Sequence, residues 1–440
     1  MTSSPITATA SSRQWLLCKI NAMNRTCIVS IGNELLNGHT TDTNCSYICG
    51  RLLSIGIPVV NAYTVGDDIK QIVRSLKRAA EDADIVIVTG GLGPTDDDLT
   101  RQAFAELLGV KLQVKPALLK DIRKFFADRG LPMPEKNTIQ ACIPKGASAI
   151  ENPFGTAPGI FAEMKRKLFF AMPGVPVEMK EMLEKSVLPR LTQKGAGGFT
   201  IVKKVRCFGT GESALAEKLG DLMTRGRNPL INVTVNGGVI TLHVVASAKT
   251  KKQAEQMAKK DVSHLRSLLG DLIFGVDDQT LPEVVGQWLT LHHKTITVAE
   301  SCTGGLLTKL ITDVPGASEY FTHGWITYSN QSKAELLGVP KQLIEKHGAV
   351  SEQVASAMAI AARKKAKSDF AIAITGIAGP AGGSKQKPVG LVYISVCNGD
   401  NCQTKKCLFS YTRELIRTRA ALTALNMLRL WSLRAQRLRP

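Results

Sequence analysis

The chain has 440 residues, a length that predicts two or three domains. Its hydrophobic content of 44% is typical of globular proteins. No apolar stretch is long enough to cross a membrane, and ten cysteines without paired metal-site spacing predict reduced thiols in a cytoplasmic protein. The net charge of +19 is spread widely, without an arginine-rich block or an aromatic RNA-binding signature. It therefore fits a surface that attracts phosphorylated small molecules better than one that recognises nucleic acid.

Residues 1–24 contain no acidic side chain, are rich in Ser, Thr and Ala, and predict a disordered leader. Strands and helices alternate after it, as in α/β domains. A strand is predicted over 27–31, a loop over 32–38, a helix from 42–44 to about Leu53, and a strand over 59–65.

A buried strand over 84–89 leads into a glycine-rich loop and then into three aspartates before a helix over 99–108. An aspartate at a helix N-terminus can simply cap it and complement its dipole. Three in a row beside a phosphate-sized loop exceed what capping requires. The pattern predicts a divalent ion, such as Mg²⁺, held by Asp97 or Asp98 and bridging substrate phosphates.

A further strand over 167–172 turns into a helix at about residue 177. The region 196–277 that follows has a different sequence pattern. It contains a strand with alternating apolar residues over 238–245 and a basic amphipathic helix over 251–269. It predicts a small α+β connector. Because no Gly-x-x-Gly loop lies between two of its helices, a structural or dimer-forming role is favoured over RNA binding.

The segment 299–305, Ala-Glu-Ser-Cys-Thr-Gly-Gly, follows a β-branched strand over 295–298 and precedes a helical pattern. Ligands of open α/β sheets bind at such strand ends. The segment is compatible with a serine nucleophile and its oxyanion hole, with a phosphate cradle, or with a tight turn alone. Cys302 is a competing nucleophile, although a core position as a small hydrophobe is favoured.

Two later strand ends favour a site. A strand over 324–329 leads to Ser329 or Asn330 as a helix N-cap, which places Lys333 in the first turn, where desolvation and the helix dipole would lower its pKa. The alternative for Lys333 is a solvated surface position. A buried strand over 370–375 runs into a glycine-rich loop, and another strand follows over 388–393. Strand ends carrying Ser, Lys and Thr-Gly would form one site.

With these motifs in place, 299–305, 328–333, 347–351 and 375–380 resemble the nicotinamide-mononucleotide deamidase family, the C-terminal domain of CinA proteins. The resemblance implies hydrolysis of the carboxamide of nicotinamide mononucleotide, without a cofactor. It implies that Ser301 is the nucleophile and Lys333 its general base, with Tyr328 and Thr375 in the catalytic site. The substrate-binding residues that it implies are Thr303, Gly304, Gly305, Ser329, Asn330, Gly376 and Gly379. Ala381 stands where related sequences often carry an acid.

The segments 32–44, 90–100, 152–159 and 173–179 resemble the MoaB/MogA-like molybdopterin-binding fold in the N-terminal half of CinA proteins. The resemblance implies metal-dependent ADP-ribose pyrophosphatase activity, molybdopterin-type adenylyl transfer or non-catalytic nucleotide binding. Asn33 stands where many relatives carry Asp, which argues against full pyrophosphatase activity. The implied substrate-binding residues are Asn44, Gly90, Gly91, Gly93, Thr95 and Gly174.

The expected fold class is α/β throughout: a MoaB/MogA-like three-layer α/β domain over 25–195, the small α+β connector, similar to a KH domain, over 196–277, and an α/β deamidase domain over 278–440. A homodimer is expected. Arg413 and Arg417 would open the last helix after a strand over 408–411, four residues apart on one face. A solvated face suffices for Arg417, whereas Arg413 is expected to bind the substrate's 5′-phosphate.

Overall fold

The computed structural model describes residues 25–193 and 198–437. The leader predicted over 1–24 lies outside the described residues. The chain divides into two compact units, one of residues 25–201 with 247–254 and one of residues 202–246 with 255–437. The connector falls mainly in the second unit. Among the described residues, no helix is both long enough and apolar enough to cross a membrane.

The first unit alternates strands and helices from its first residues. The strands are β1 Thr26–Ile31, β2 Val59–Val65, β3 Ile85–Thr89, β4 Leu112–Val114, β5 Cys142–Pro144, β6 Ser148–Ile150, β7 Gly159–Met164 and β8 Lys167–Met172. The helices are α1 Asn33–Leu36, α2 Thr43–Ser54, α3 Ile69–Asp82, α4 Thr100–Leu108, α5 Pro116–Ala127, α6 Pro176–Met182 and α7 Leu188–Gln193. The loop predicted over 32–38 is thus wrong in part, because α1 forms a short helical turn there.

The main sheet has the strand order β2-β1-β3-β8-β7-β6. Its first four strands are parallel, and β7 and β6 are antiparallel to their neighbours. Side chains alternate between two cores: Val86 and Val88 of β3 pack on one face, Ile85 and Ile87 on the other. Helices cover both faces, which gives a three-layer α/β domain.

The rest of the chain continues from residue 198. Its strands are β9 Phe199–Cys207, β10 Leu230–Asn236, β11 Val239–Ala248, β12 Ile273–Val276, β13 Ile296–Glu300, β14 Phe321–Ile326, β15 Phe370–Gly376, β16 Leu391–Asn398 and β17 Asn401–Leu408. Its helices are α8 Glu212–Leu219, α9 Lys251–Leu269, α10 Leu281–Leu291, α11 Leu306–Thr312, α12 Asn330–Leu337, α13 Lys341–His347, α14 Glu352–Ala366 and α15 Arg413–Arg437.

These strands form two sheets. One has the order β10-β11-β9-β12 and belongs to the connector, and the other has the order β14-β13-β15-β16-β17. In the five-stranded sheet β14, β13 and β15 are parallel, while β16 and β17 are antiparallel. The carboxyl ends of β13, β14 and β15 therefore meet at one edge, which is where ligands bind in open α/β sheets.

The strand boundaries of this sheet differ from the predicted ones. β13, predicted over 295–298, occupies Ile296–Glu300, and β15 extends one residue further than predicted, to Gly376. β14 ends at Ile326 rather than Ser329, because the next carbonyls turn toward Lys333. β16 begins at Leu391 rather than 388, because Gly390 adopts a left-handed φ of 91° in the turn before it. The strand predicted over 408–411 is wrong, because β17 occupies Asn401–Leu408 and its pairing with β16 ends where Leu408 faces Leu391.

One cysteine pair departs from the expectation of reduced thiols. Cys397 and Cys402 form a disulfide, because they occupy directly opposed positions on the antiparallel strands β16 and β17. Sequence spacing alone did not indicate this pairing, since it depends on the register of the two strands. The other cysteines of the described residues are free.

Candidate functional site

Ser301 lies where the five-stranded sheet turns toward α11. It follows β13 directly, and its backbone N–H donates to the Ile374 carbonyl of β15 at 2.9 Å. Its side chain is largely buried. Gly304 and Gly305 adopt left-handed φ angles of 56° and 93°, which glycine reaches without strain, so the chain reverses within a few residues.

Lys333 reaches Ser301 from the fourth position of α12. Ser329 caps this helix as predicted, accepting from the Ser332 N–H. The Lys333 side chain is 1% exposed, which excludes the solvated alternative. Its Nζ lies 3.1 Å from Ser301 Oγ, 2.9 Å from the Thr327 carbonyl and 3.3 Å from the Tyr328 carbonyl.

Burial lowers the pKa of Lys333 to about 8, since a desolvated ammonium is penalised. A neutral lysine amine has two N–H donors and one lone pair. The carbonyls of Thr327 and Tyr328 can take the two donors, which leaves the lone pair for the Ser301 hydroxyl proton. The arrangement therefore suits Lys333 as a general base for Ser301.

Cys302 occupies a different environment from its neighbour Ser301. Its side chain packs in the hydrophobic core on one face of the sheet. Burial raises the pKa of its thiol to about 12, so the reactive thiolate is scarce near neutral pH. The structure thus supports the core position expected for Cys302 and disfavours it as a nucleophile.

Glu300 is a functional candidate that sequence reasoning missed. Its carboxylate is fully buried and accepts from the N–H groups of Gly305, Leu307 and Thr308 and from the Thr308 hydroxyl, at 2.7–3.1 Å. An acid that ends an apolar strand just before a helix start was the available signal. Because this carboxylate already occupies the N–H groups of Gly305, Leu307 and Thr308, the structure disfavours a phosphate cradle at this helix start.

The backbone of this turn leaves few donors for an oxyanion. The N–H groups of Ser301, Gly304 and Gly305 are engaged. Within the described ranges, the N–H groups of Cys302 and Thr303 donate to no oxygen acceptor, and these two residues directly follow Ser301 in the chain. The Thr303 hydroxyl is buried without a partner in the described part of the chain. The Thr303 carbonyl accepts from Nε and Nη2 of Arg417, at 3.1 and 2.6 Å. The solvated helix face expected for Arg417 is therefore wrong, because its half-buried guanidinium holds the turn that follows Ser301.

The remaining predicted residues of this domain differ in their contacts and in their exposure. Arg413 donates to the Gly379 carbonyl at 2.6 Å and to the exposed Tyr328 hydroxyl at 3.2 Å, so the three form one cluster. Thr375 is buried, and its hydroxyl donates to the Ala349 carbonyl at 2.8 Å, which ties β15 to the 347–351 segment. Gly376 ends β15 and Asn330 begins α12 with an exposed side chain.

The first unit carries a separate cleft of about 410 Å³ beside its glycine loop. Gly90 adopts a φ of 105°, and a Cβ there would strike the Ile31 carbonyl, so only glycine fits. Gly91 is left-handed as well, and its would-be Cβ meets the Thr100 hydroxyl. The predicted residues that line the cleft are Gly90, Gly91, Gly93, Thr95, Asp97, Asp98 and Gly174.

The two aspartates predicted to hold a metal differ in their surroundings. Asp98 accepts from the N–H groups of Gly93 and Thr95, at 2.7 and 2.8 Å, and from the Thr95 hydroxyl. Asp97 is more open, and hydrogen bonds from Thr95 and from its own backbone lower the pKa of its carboxyl group. Asp98 therefore organises the loop, whereas Asp97 keeps oxygens available to a ligand.

Arg101 and Asn44 support this loop from inside the fold. Arg101 is fully buried and donates to the carbonyls of Leu92 and Gly93; burial lowers its pKa to about 10. Asn44, on α2, donates to the Gly174 carbonyl at 2.7 Å, and its Oδ1 has no partner among the described residues. Sequence reasoning missed Arg101, although an arginine three positions after the last of the three aspartates was visible.

Further acids that were not predicted line the cleft: Glu34, Asp67 and Glu178. In the described part of the chain, no group of three or more His, Cys, Asp or Glu side chains could hold a metal ion by itself. Asn33 faces Asp67: its side-chain Oδ1 accepts a hydrogen bond from the Asp67 backbone N–H at 3.4 Å.

The fold and the buried serine–lysine pair define a multidomain α/β protein with a candidate active site at a strand-end turn. Family models match along the chain as "Probable molybdopterin binding domain" over 27–193, "Damage-inducible protein CinA KH domain" over 202–275 and "CinA C-terminal domain" over 278–431. The chain is 42% identical over 402 residues to a "CinA-like protein" of Dictyoglomus thermophilum, covering 91% of this chain and 98% of that one. The chain therefore belongs to the CinA family, with a MoaB/MogA-like N-terminal domain.

Other relatives agree. A "CinA-like protein" of Desulfovibrio desulfuricans is 42% identical over 370 residues, covering 84% of this chain and 86% of that one. The crystal structure of the competence/damage inducible protein CihA from Agrobacterium tumefaciens is 38% identical, covers 34% of this chain and 92% of its own, and gives a TM-score of 0.34.

The buried Lys333 predicts a pH-dependent stability. Its folded pKa of about 8 lies below the 10.5 of an exposed lysine, so between these values the unfolded chain binds the extra proton. Wild-type stability relative to Lys333→Met should therefore rise as pH increases from 8 to 10.5, by at most roughly 3 kcal/mol. Denaturant unfolding across this range measures the change. The exposed Lys341→Met should show no such trend, and an equal trend in both variants would contradict the prediction.

Proposed function

We propose that the C-terminal domain is an amidohydrolase that converts nicotinamide mononucleotide to nicotinic acid mononucleotide and ammonia. The observation that carries the proposal is the 3.1 Å contact between Lys333 Nζ and Ser301 Oγ in a buried site. A serine hydroxyl is a weak nucleophile unless a base of suitable pKa lies within hydrogen-bond reach. The lowered pKa of Lys333 meets that requirement without a metal ion.

In this mechanism Lys333 takes the hydroxyl proton as Ser301 Oγ attacks the carboxamide carbon. The N–H groups of Cys302 and Thr303 are proposed to stabilise the oxyanion. The protonated Lys333 then donates to the leaving nitrogen, which departs as ammonia and leaves an acyl ester on Ser301. Water attacks this ester with Lys333 again as the base, which releases the carboxylic acid and restores the serine.

The surroundings of Lys333 support both of its protonation states. As an ammonium it has three donors, and the carbonyls of Thr327, Tyr328 and Ser329 lie within 2.9–3.5 Å together with Ser301 Oγ. As a neutral amine it needs only two of these acceptors. The proton can therefore arrive and leave without stranding a buried charge.

The nucleophile is tested by two neighbouring substitutions. Ser301→Ala should reduce ammonia release from nicotinamide mononucleotide by about 10³-fold or more, because the acyl ester cannot form. Cys302→Ala, a matched change at the adjacent buried residue, should keep most of the activity. A coupled ammonia assay on the full chain measures both. The nucleophile assignment fails if the cysteine variant is inactive and the serine variant is not.

Arg413 is proposed to bind the 5′-phosphate of the mononucleotide. Its guanidinium lies at the exposed start of α15 and joins Gly379 to Tyr328, and its planar fork suits phosphate oxygens. The phosphate would compete with the Tyr328 hydroxyl for the same donor. In this proposal the phosphate lies at the rim of the site and the carboxamide lies toward Ser301.

Arg413→Ala should raise KM for nicotinamide mononucleotide about tenfold or more and raise KM much less for nicotinamide riboside, which lacks the phosphate. Arg419→Ala supplies the control, because that arginine lies on the same helix but faces Tyr411 and Phe409. Steady-state kinetics with both substrates measure the difference. Equal effects of Arg413→Ala on both substrates would contradict a phosphate contact.

The N-terminal domain is proposed to be a metal-dependent ADP-ribose pyrophosphatase, supported by the acid-lined cleft beside its glycine loop. The residues present fit a magnesium ion that one or two carboxylates hold while phosphate oxygens and water complete its shell. Asp97 would be the principal holder, because Asp98 is committed to the loop. When bound, the ion supplies positive charge that offsets the repulsion between the pyrophosphate and the acids.

Asp97→Asn should abolish ADP-ribose hydrolysis and weaken Mn²⁺ binding. Chelator should abolish ADP-ribose hydrolysis as well, because it removes the metal. Neither treatment should change the deamidase activity. Asp96→Asn should retain activity, because that carboxylate is exposed and pairs with Lys136 instead. Asp98→Asn should also lower thermal stability, since it loses loop hydrogen bonds. Product analysis and Mn²⁺ titration measure these effects. Cleavage that survives chelator excludes the metal, and adenylylation of a pterin or binding without turnover would favour the two alternative functions.

A further inference from the structure

Glu300 connects both members of the serine–lysine pair to one rigid point. Its carboxylate holds the start of α11 through Gly305, Leu307 and Thr308, and Ser301 is the next residue in the chain. Its carbonyl accepts from the Thr327 N–H at 2.7 Å. The Thr327 carbonyl in turn accepts from Lys333 Nζ at 2.9 Å.

We propose that Glu300 is a positioning residue for catalysis, whose carboxylate fixes the Ser301 turn against the start of α11. The inference rests on the proposed amidase chemistry of the same site. Glu300 faces no substrate in this arrangement, because its carboxylate is fully buried and four donors surround it. It acts through the geometry of the nucleophile, the base and the two oxyanion donors.

The alternative is that Glu300 only stabilises the fold as a buried helix cap. The two roles differ in what a substitution should change. Loss of a helix cap lowers stability and leaves turnover of the folded enzyme intact. Misplacement of a nucleophile by about 1 Å lowers turnover roughly 10²-fold. A test must therefore compare turnover at matched loss of stability.

The sheet offers a matched control at its opposite end. Asp369 precedes β15, and its carboxylate accepts from the Thr295 N–H, the Thr295 hydroxyl and Lys294 Nζ at 2.8–3.0 Å. Like Glu300 it ties one strand end to a neighbouring segment. It lies at the amino ends of β13 and β15, away from Ser301 and Lys333. Asp369→Asn therefore perturbs a strand-end carboxylate at a partly exposed position, where it pairs with Lys294, without touching the site.

Glu300→Gln keeps the shape of the side chain but turns an amide NH₂ toward N–H donors that need an acceptor. We expect kcat for nicotinamide mononucleotide to fall about 10²-fold with KM changed less than about twofold. Asp369→Asn should lower the melting temperature but leave kcat within about twofold of wild type. Thr308→Val removes one of the four donors and should give an intermediate loss of kcat, which keeps the test available if Glu300→Gln fails to fold.

A second readout does not depend on the substrate. The rate at which a fluorophosphonate labels Ser301, followed by intact-mass spectrometry, reports whether serine and lysine are aligned. It should fall in parallel with kcat in Glu300→Gln and stay unchanged in Asp369→Asn. If wild type is labelled but does not hydrolyse the mononucleotide, the proposed substrate is wrong and labelling still tests Glu300. Equal kcat or labelling in the two carboxylate variants, or no labelling of wild type, overturns the positioning role.

Discussion

The burial of one lysine amine beside one serine hydroxyl is the constraint on which the C-terminal site depends. A buried ammonium is costly, so the surrounding fold must supply acceptors or let the group become neutral. The carbonyls of Thr327 and Tyr328 supply the acceptors, and burial lowers the Lys333 pKa to about 8. The two carbonyl acceptors and the lowered pKa, which make the lysine tolerable inside the protein, also make it a usable base.

Both units turn a buried strand into a helix through glycines, yet buried groups of opposite charge hold the two turns. In the C-terminal domain the Glu300 carboxylate accepts from N–H groups at the start of α11. In the N-terminal domain the Arg101 guanidinium donates to loop carbonyls, while Asp98 accepts from the N–H groups. Similar sequence patterns can therefore leave different backbone groups free for a ligand. The buried side chain decides which groups these are: Glu300 occupies N–H groups, whereas Arg101 occupies carbonyls.

The adjacent residues Ser301 and Cys302 show how position outweighs intrinsic reactivity. A thiol needs less activation than a hydroxyl, but successive residues of the turn face different surroundings. Cys302 enters the apolar core, where burial raises its pKa to about 12, while Ser301 meets the lysine. Environment, rather than side-chain type, supports serine as the nucleophile of this site.

The sequence by itself determined the α/β class, most strands and a helix cap at Ser329 or Asn330, because apolar periodicity and cap residues are local signals. The resemblance to a known family, rather than any local pattern, implied that Ser301 and Lys333 act together, and the structure brings Lys333 Nζ to 3.1 Å from Ser301 Oγ. Its strand ends were less accurate, as at Ile326, where the carbonyls turn to Lys333. Only the tertiary structure decided that Glu300 occupies the helix start, that Asp98 is committed to its loop, and that Cys397 opposes Cys402. Each of these depends on contacts whose register and burial no local pattern encodes.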